Sequence, residues 1–152
     1  MKLDSQLLDS LTEQAKASPR LRMSFDLRNG AEDNSQRVLN ALEPGTMVPV
    51  HHHVASSETF IVLRGKLRET FYNDKGEVLE TFVCQAGTPL FGCNIPQGQW
   101  HTAESLKSGT VILETKDGKY APQAKEDVMD NLTKDVGTQK YVDVIKNFEK
   151  TK

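Results

Sequence analysis

Cysteine is scarce in this chain. Cys84 and Cys93 are the only two in 152 residues, too few for a disulfide framework. Each reads as a reduced thiol in a core or loop. Neither sign of charge dominates. The 19 basic and 21 acidic side chains leave a formal net charge of −2, which gives no field to draw in nucleic acid or an anionic membrane. Long apolar runs are missing too. None approaches the roughly 18 residues a membrane helix needs, and Asp4, Asp9, Glu13 and Lys16 interrupt any apolar signal core near the start. A cytoplasmic protein with neither a nucleic-acid nor a membrane partner is the expectation. The length suits one domain that buries its core without disulfides.

The chain opens with a helical pattern. Leu3, Leu7, Leu8, Leu11 and Ala15 recur at helical spacing, so a helix is predicted over 3–17. Asp4 or Ser5 can cap its start, and Ser18-Pro19 ends it. Residues 20–25 alternate like a strand, and Asn29-Gly30 and Asp33-Asn34-Ser35 read as turns. From Gln36 to Lys116 short apolar runs follow one another at 38–42, 46–50, 59–64, 67–72, 78–84 and 110–114. Glycines at 65, 76 and 87, then at 98 and 109, recur every eleven residues, which is strand-plus-turn spacing for an all-β sandwich or barrel. Asn73-Asp74-Lys75-Gly76 reads as a hairpin turn. Residues 123–138 are polar and loop-like. Tyr141, Val144, Ile145 and Phe148 predict an amphipathic helix over 139–149. The whole is expected to be a single domain, with an N-terminal helix and arm at 1–35, a β-barrel at 36–118, and a C-terminal loop and helix at 119–152.

What the chain does have is histidine in one place. His51, His52 and His53 are consecutive, and His101 follows a Pro/Gly turn. On a strand, His51 and His53 project from one face and His52 from the other. Glu58 opens the next apolar run, and antiparallel pairing of 46–50 with 59–64 would bring it to the two imidazoles. Three imidazoles and a carboxylate suit a first-row divalent metal and leave positions open for water or substrate. A satisfied polar network inside a barrel is the plainer alternative. Phe60 and Trp100 are candidate apolar walls, and Tyr120 and Glu114 candidates for the mouth, with core packing or a solvent-facing position as the alternative for each. All arginines lie in the first 68 residues. Arg22 and Arg37 are candidates to bind a carboxylate or phosphate, unless the arginines instead pair with Asp26, Glu32 and Asp33.

These residues resemble a known family. Gly45-x5-His51-x-His53-x4-Glu58-x6-Gly65 matches the first cupin motif, and Pro96-x-Gly98-x2-His101 matches the core of the second. Two turn positions depart from the second motif, with Leu90 where glycine is usual and Ser105 where asparagine is usual. The resemblance implies a cupin jelly roll, a double-stranded β-helix with short helices at its ends. It also implies that His51, His53, Glu58 and His101 bind one divalent ion inside the barrel (Zn, Fe, Mn or Ni), with His52 outside. Ser18-Pro-Arg-Leu-Arg22, Phe60-Ile-Val-Leu-Arg-Gly65 and Gly109-Thr-Val-Ile-Leu-Glu-Thr-Lys-Asp-Gly-Lys-Tyr120 look like the WbuC-type cupin metalloproteins. Genes of that family tend to lie among those for O-antigen and other surface polysaccharides. The implied function is a metalloenzyme acting on a small, oxygen-rich ligand, sugar-derived or anionic. A non-catalytic metal-dependent binding module and a metal-free sugar-nucleotide epimerase-like cupin are the alternatives. Apolar residues on alternate faces of 59–63 and 78–84, with strand edges to protect, allow a homodimer.

Overall fold

A computed structural model describes residues 1–129 and Leu132. Helix α1, Ser5–Ala17, forms where the leucine spacing predicts it. Asp4 is the residue that caps it, its carboxylate accepting from the Leu7 N–H at 3.1 Å. Eight strands follow: β1 (Arg22–Asp26), β2 (Ser35–Leu42), β3 (Glu58–Arg64), β4 (Lys66–Tyr72), β5 (Val78–Gln85), β6 (Gly92–Ile95), β7 (Trp100–Ser105) and β8 (Thr110–Asp117). They make a five-stranded sheet in the order β1-β2-β8-β3-β6 and a three-stranded sheet in the order β5-β4-β7, with all pairings antiparallel. No helix among the described residues is long and apolar enough to cross a membrane. The amphipathic helix expected at 139–149 lies outside the described residues.

Strand alternation sorts the side chains into two cores. Phe60 and Val62 of β3, Ile112 of β8, Leu67 of β4, Cys84 of β5 and Ile95 of β6 face between the sheets and fill one end of the barrel. On the outer face of the larger sheet, Leu39, Ala41 and Val111 pack against Leu11 and Ala15 of α1. Arg64 pins this helix to the barrel, donating to Asp9 Oδ1, to Thr12 Oγ1 at 2.7 Å and to the Gly109 carbonyl at 2.9 Å. Gly65 lets β3 turn directly into β4. Its φ is +87°, and a Cβ there would come within 2.6 Å of Thr110 Cα. The hairpin at Asn73–Gly76 joins β4 to β5, with the Gly76 N–H donating to the Asn73 carbonyl at 3.0 Å.

One expected strand does not form. Residues 46–50 run across the barrel without joining a ladder, because Pro49 has no N–H to give and a turn at Glu43–Thr46 precedes it. The first residue to pair is His51, which forms single-residue bridges to His101 on one side and Val128 on the other. This segment therefore extends the smaller sheet and does not pair with β3, whose neighbours are β6 and β8.

Candidate metal centre

The register explains how the histidines meet. His51 and His101 exchange backbone hydrogen bonds at 3.0 and 2.9 Å, so their side chains stand side by side. Their ring centroids are 4.3 Å apart. His53, two residues on, joins from the same face, with its ring 4.9 Å from that of His51. One ligand atom from each of the three imidazoles lies within 4.8 Å of the others.

Local hydrogen bonds orient two of these rings. His51 Nδ1 sits 2.7 Å from the Pro49 carbonyl, and His101 Nδ1 sits 2.8 Å from the Gln99 carbonyl. A carbonyl can only accept, so in each case Nδ1 donates and the lone pair of the neutral ring is on Nε2. Both rings bond the carbonyl two residues earlier, which is how metal-binding imidazoles are usually braced. His101 Nε2 is buried without a hydrogen-bond partner. Burial, and then the neighbouring His101, holds the His51 imidazole down to about 3. His101 is lowered for the same first reason, burial. Both are neutral at physiological pH, as metal ligands must be.

Glu58 reaches this cluster from the opposite sheet. The expected side-by-side pairing of its strand with the histidine segment is absent, and the carboxylate arrives across the barrel instead. Its Oε2 is 2.9 Å from His53 Nε2, a contact off hydrogen-bonding direction, and it accepts from Lys116 Nζ at 3.0 Å. Burial pushes the Glu58 carboxyl up, but His53 and Lys116 outweigh it and keep it below the usual carboxylate range. A divalent cation fits this donor set. Imidazole nitrogens, those of His53 and His101 buried without a hydrogen-bond partner, converge beside an ionised carboxylate.

Lys116 was not among the residues singled out from sequence. The available signal was its alternation with Ile112 and Glu114 along β8, which puts all three on one face. Glu114 lies directly across from Phe60. Burial, then the charge of Glu58, pushes its carboxyl up to about 7. Glu69 on β4 was missed as well. It is 1% exposed, and burial holds its carboxyl well above the ordinary value.

The other sequence candidates separate. Phe60 is buried in the barrel core, one cross-strand position from Glu114. Arg22 is half-buried on β1, near enough to Glu114 to influence it, and donates to the Met47 carbonyl at 3.3 Å. Arg37 is turned away and engaged with Asp33 at 3.0 Å and with the Ser35 and Leu27 carbonyls. Trp100 neighbours His101 on β7 and so faces the opposite side of the sheet. There it stacks on His52 at 3.7 Å and its indole N–H donates to Asp74 at 3.1 Å. Tyr120 is 60% exposed, beside Arg28, and does not reach the histidines.

The fold is an antiparallel jelly roll of the cupin type, with three histidines converging inside the barrel. Residues 3–84 match the family described as "Domain of unknown function (DUF6016)", and the chain belongs to that family. No curated protein matches it. Among solved structures, it is similar to the capsular polysaccharide assembling protein CapF from Staphylococcus aureus, with 21% identity and a TM-score of 0.60 over 74% of this chain and 32% of that one. It is also similar to oxalate oxidase in complex with glycolate, with 17% identity and a TM-score of 0.55 over 68% of this chain and 54% of that one. A third is Bacillus subtilis oxalate decarboxylase, described with Mn(II) centres, at 20% identity and a TM-score of 0.51 over 71% of this chain and 27% of that one. The chain thus spans at most about half the length of these proteins.

Proposed function

We propose that this protein binds one divalent metal ion through His51, His53, Glu58 and His101 and acts as a metalloenzyme on a small, oxygen-rich ligand, sugar-derived or anionic. The observation that carries this reading is the buried, unpartnered Nε2 of His101, converging with His51 and His53. A polar network evolved only for stability would leave no such atom, because an unsatisfied buried nitrogen is costly. When bound, the ion supplies Lewis acidity toward an oxygen donor. The chain's own residues fix the rings through the Pro49 and Gln99 carbonyls and limit water through buried Phe60.

The WbuC-type motifs and the fold likeness to CapF, a capsular polysaccharide assembling protein, support a role in surface polysaccharide biosynthesis. The free thiols of Cys84 and Cys93 fit the reducing cytoplasm. Exposed Leu79, Leu90 and Phe91 support a homodimer. Elemental analysis of untagged protein tests the central claim. About one divalent ion per chain is expected, with loss of that ion in His51→Ala. Protein that stays metal-free after incubation with Zn(II), Mn(II), Fe(II) and Ni(II) would reject it. Stabilisation by a ligand without product formation would instead favour a binding module.

A further inference from the structure

One carboxylate oxygen has two claimants. Glu58 Oε2 accepts from Lys116 Nζ at 3.0 Å and lies 2.9 Å from His53 Nε2. The pairing is built into the fold, because Glu58 and Lys116 are direct cross-strand partners on β3 and β8. Their side chains are only 7% and 17% exposed. Each charge is therefore largely out of water and depends on the other. A divalent ion among the three imidazoles would draw on the same carboxylate. Lys116 would then be left as a second cation beside the metal. Two positive charges and the ammonium, less one carboxylate, make a local excess of about +2.

The other acids nearby do not absorb it readily. Glu114 is on the same face of β8, two residues from Lys116, but a single carboxylate can take up at most one of these charges. Glu69 is on the far sheet and fully buried. What balances the excess is an anion from outside. Resting on the metal-site reading, we propose that Lys116 is the anion-binding residue of this site, exchanging Glu58 for the anionic group of a small ligand when metal binds. The ligand class is a small molecule with a carboxylate or phosphate for Lys116 and a neutral hydroxyl or carbonyl oxygen directed at the histidines.

The test uses the full chain, titrated by calorimetry with Mn(II) and then with glycolate or inorganic phosphate, and with ethylene glycol as the uncharged control. Wild-type protein should bind at least one of the anions more tightly when metal-loaded than when metal-free, and should bind ethylene glycol weakly. Lys116→Met should move the two affinities in opposite directions. Metal binding should tighten, because a competing cation is gone. Anion binding should weaken about ten- to a hundredfold, the span of a charge-assisted hydrogen bond. Lys116→Arg should retain anion binding, and it remains informative if the methionine variant fails to fold. The anion that binds distinguishes a carboxylate ligand from a phosphate one. Metal binding with neither anion bound, anion affinity unchanged in Lys116→Met, or parallel loss of metal and anion would each overturn the role of Lys116. Absence of metal binding in wild-type protein would overturn the metal-site reading itself.

Discussion

Two sides of one sheet edge carry the same residue type to different ends. On the inner side, His51, His53 and His101 converge, and the carbonyls that brace His51 and His101 leave a nitrogen of each ring uncommitted. On the outer side, His52 has an acceptor at both nitrogens: Asp127 Oδ1 at 2.8 Å and the Gly98 carbonyl at 3.3 Å. Its ring lies flat on Trp100. Around it the Gln123 side chain donates to the His52 carbonyl at 3.0 Å, and the Met129 N–H donates to the Val50 carbonyl at 2.9 Å. The difference teaches where to look for chemistry. A histidine already engaged by hydrogen bonding and stacking holds the fold together, whereas one with a buried nitrogen left open has something still to bind.

The largest expected effect separates the two sides directly. His101→Ala should abolish metal binding, at least about 100-fold in affinity, since even the supporting partners of metal ligands are worth 10–100-fold. His52→Ala should change it by far less. Parallel metal titrations of the two variants make the check, and equal losses would erase the distinction between inner and outer imidazoles.

The second effect concerns stability and should run the other way. His52→Ala removes the stack on Trp100 and strips Asp127 of its side-chain partner, so the segment 123–129 loses the side-chain part of its latch to the sheet. A loss of about 1–3 kcal/mol is expected, or a fall in Tm of roughly 2–4 °C for each kcal/mol. Metal-free His101→Ala removes no such latch. Thermal unfolding of both metal-free proteins should show His52→Ala as the less stable. The reverse order would mean that the inner cluster is a structural network after all.

Much of this contrast is legible in the sequence. Alternation along an extended segment puts His51 and His53 together and excludes His52, and the same rule applied to β7 separates Trp100 from His101. The fold follows from short apolar runs punctuated by glycine. Strand pairing is what the sequence hides. The run 46–50 resembles a strand by composition, yet Pro49 keeps it out of any ladder, so Glu58 arrives from the facing sheet and not from a neighbour. Lys116 is invisible for the same reason, since its meeting with Glu58 depends on a register set across more than fifty residues. The arginines were ambiguous because guanidinium serves ligands and surface pairs equally well. Arg37 and Arg28 turn out to be held by Asp33 and Asp26.

The smallest effect extends the rule about closed hydrogen bonds to a carboxylate far from the histidines. Asp33 accepts from the backbone N–H groups of Asn29 and Ser35 at 3.0 and 2.9 Å and from Arg37 at 3.0 Å. Those two backbone bonds, then Arg37, hold its carboxyl down to about 2 from an ordinary value of 3.8. A carboxyl whose folded pKa is depressed stabilises the fold above its unfolded pKa, and that contribution is lost as pH falls through the folded value. The contribution of Asp33 is therefore complete above about pH 5 and fades between about 4 and 2. Asp33→Asn should be less stable than wild type at pH 7, and the gap should narrow toward pH 2.5. Urea unfolding at pH 7, 4 and 2.5 measures it. A gap of constant size would mean that Asp33 acts through the shape of its turn alone, in which case the charge contributes nothing that an asparagine could not. A narrowing gap, with metal affinity untouched, would place Asp33 with His52 among the polar groups whose bonds are spent on the fold.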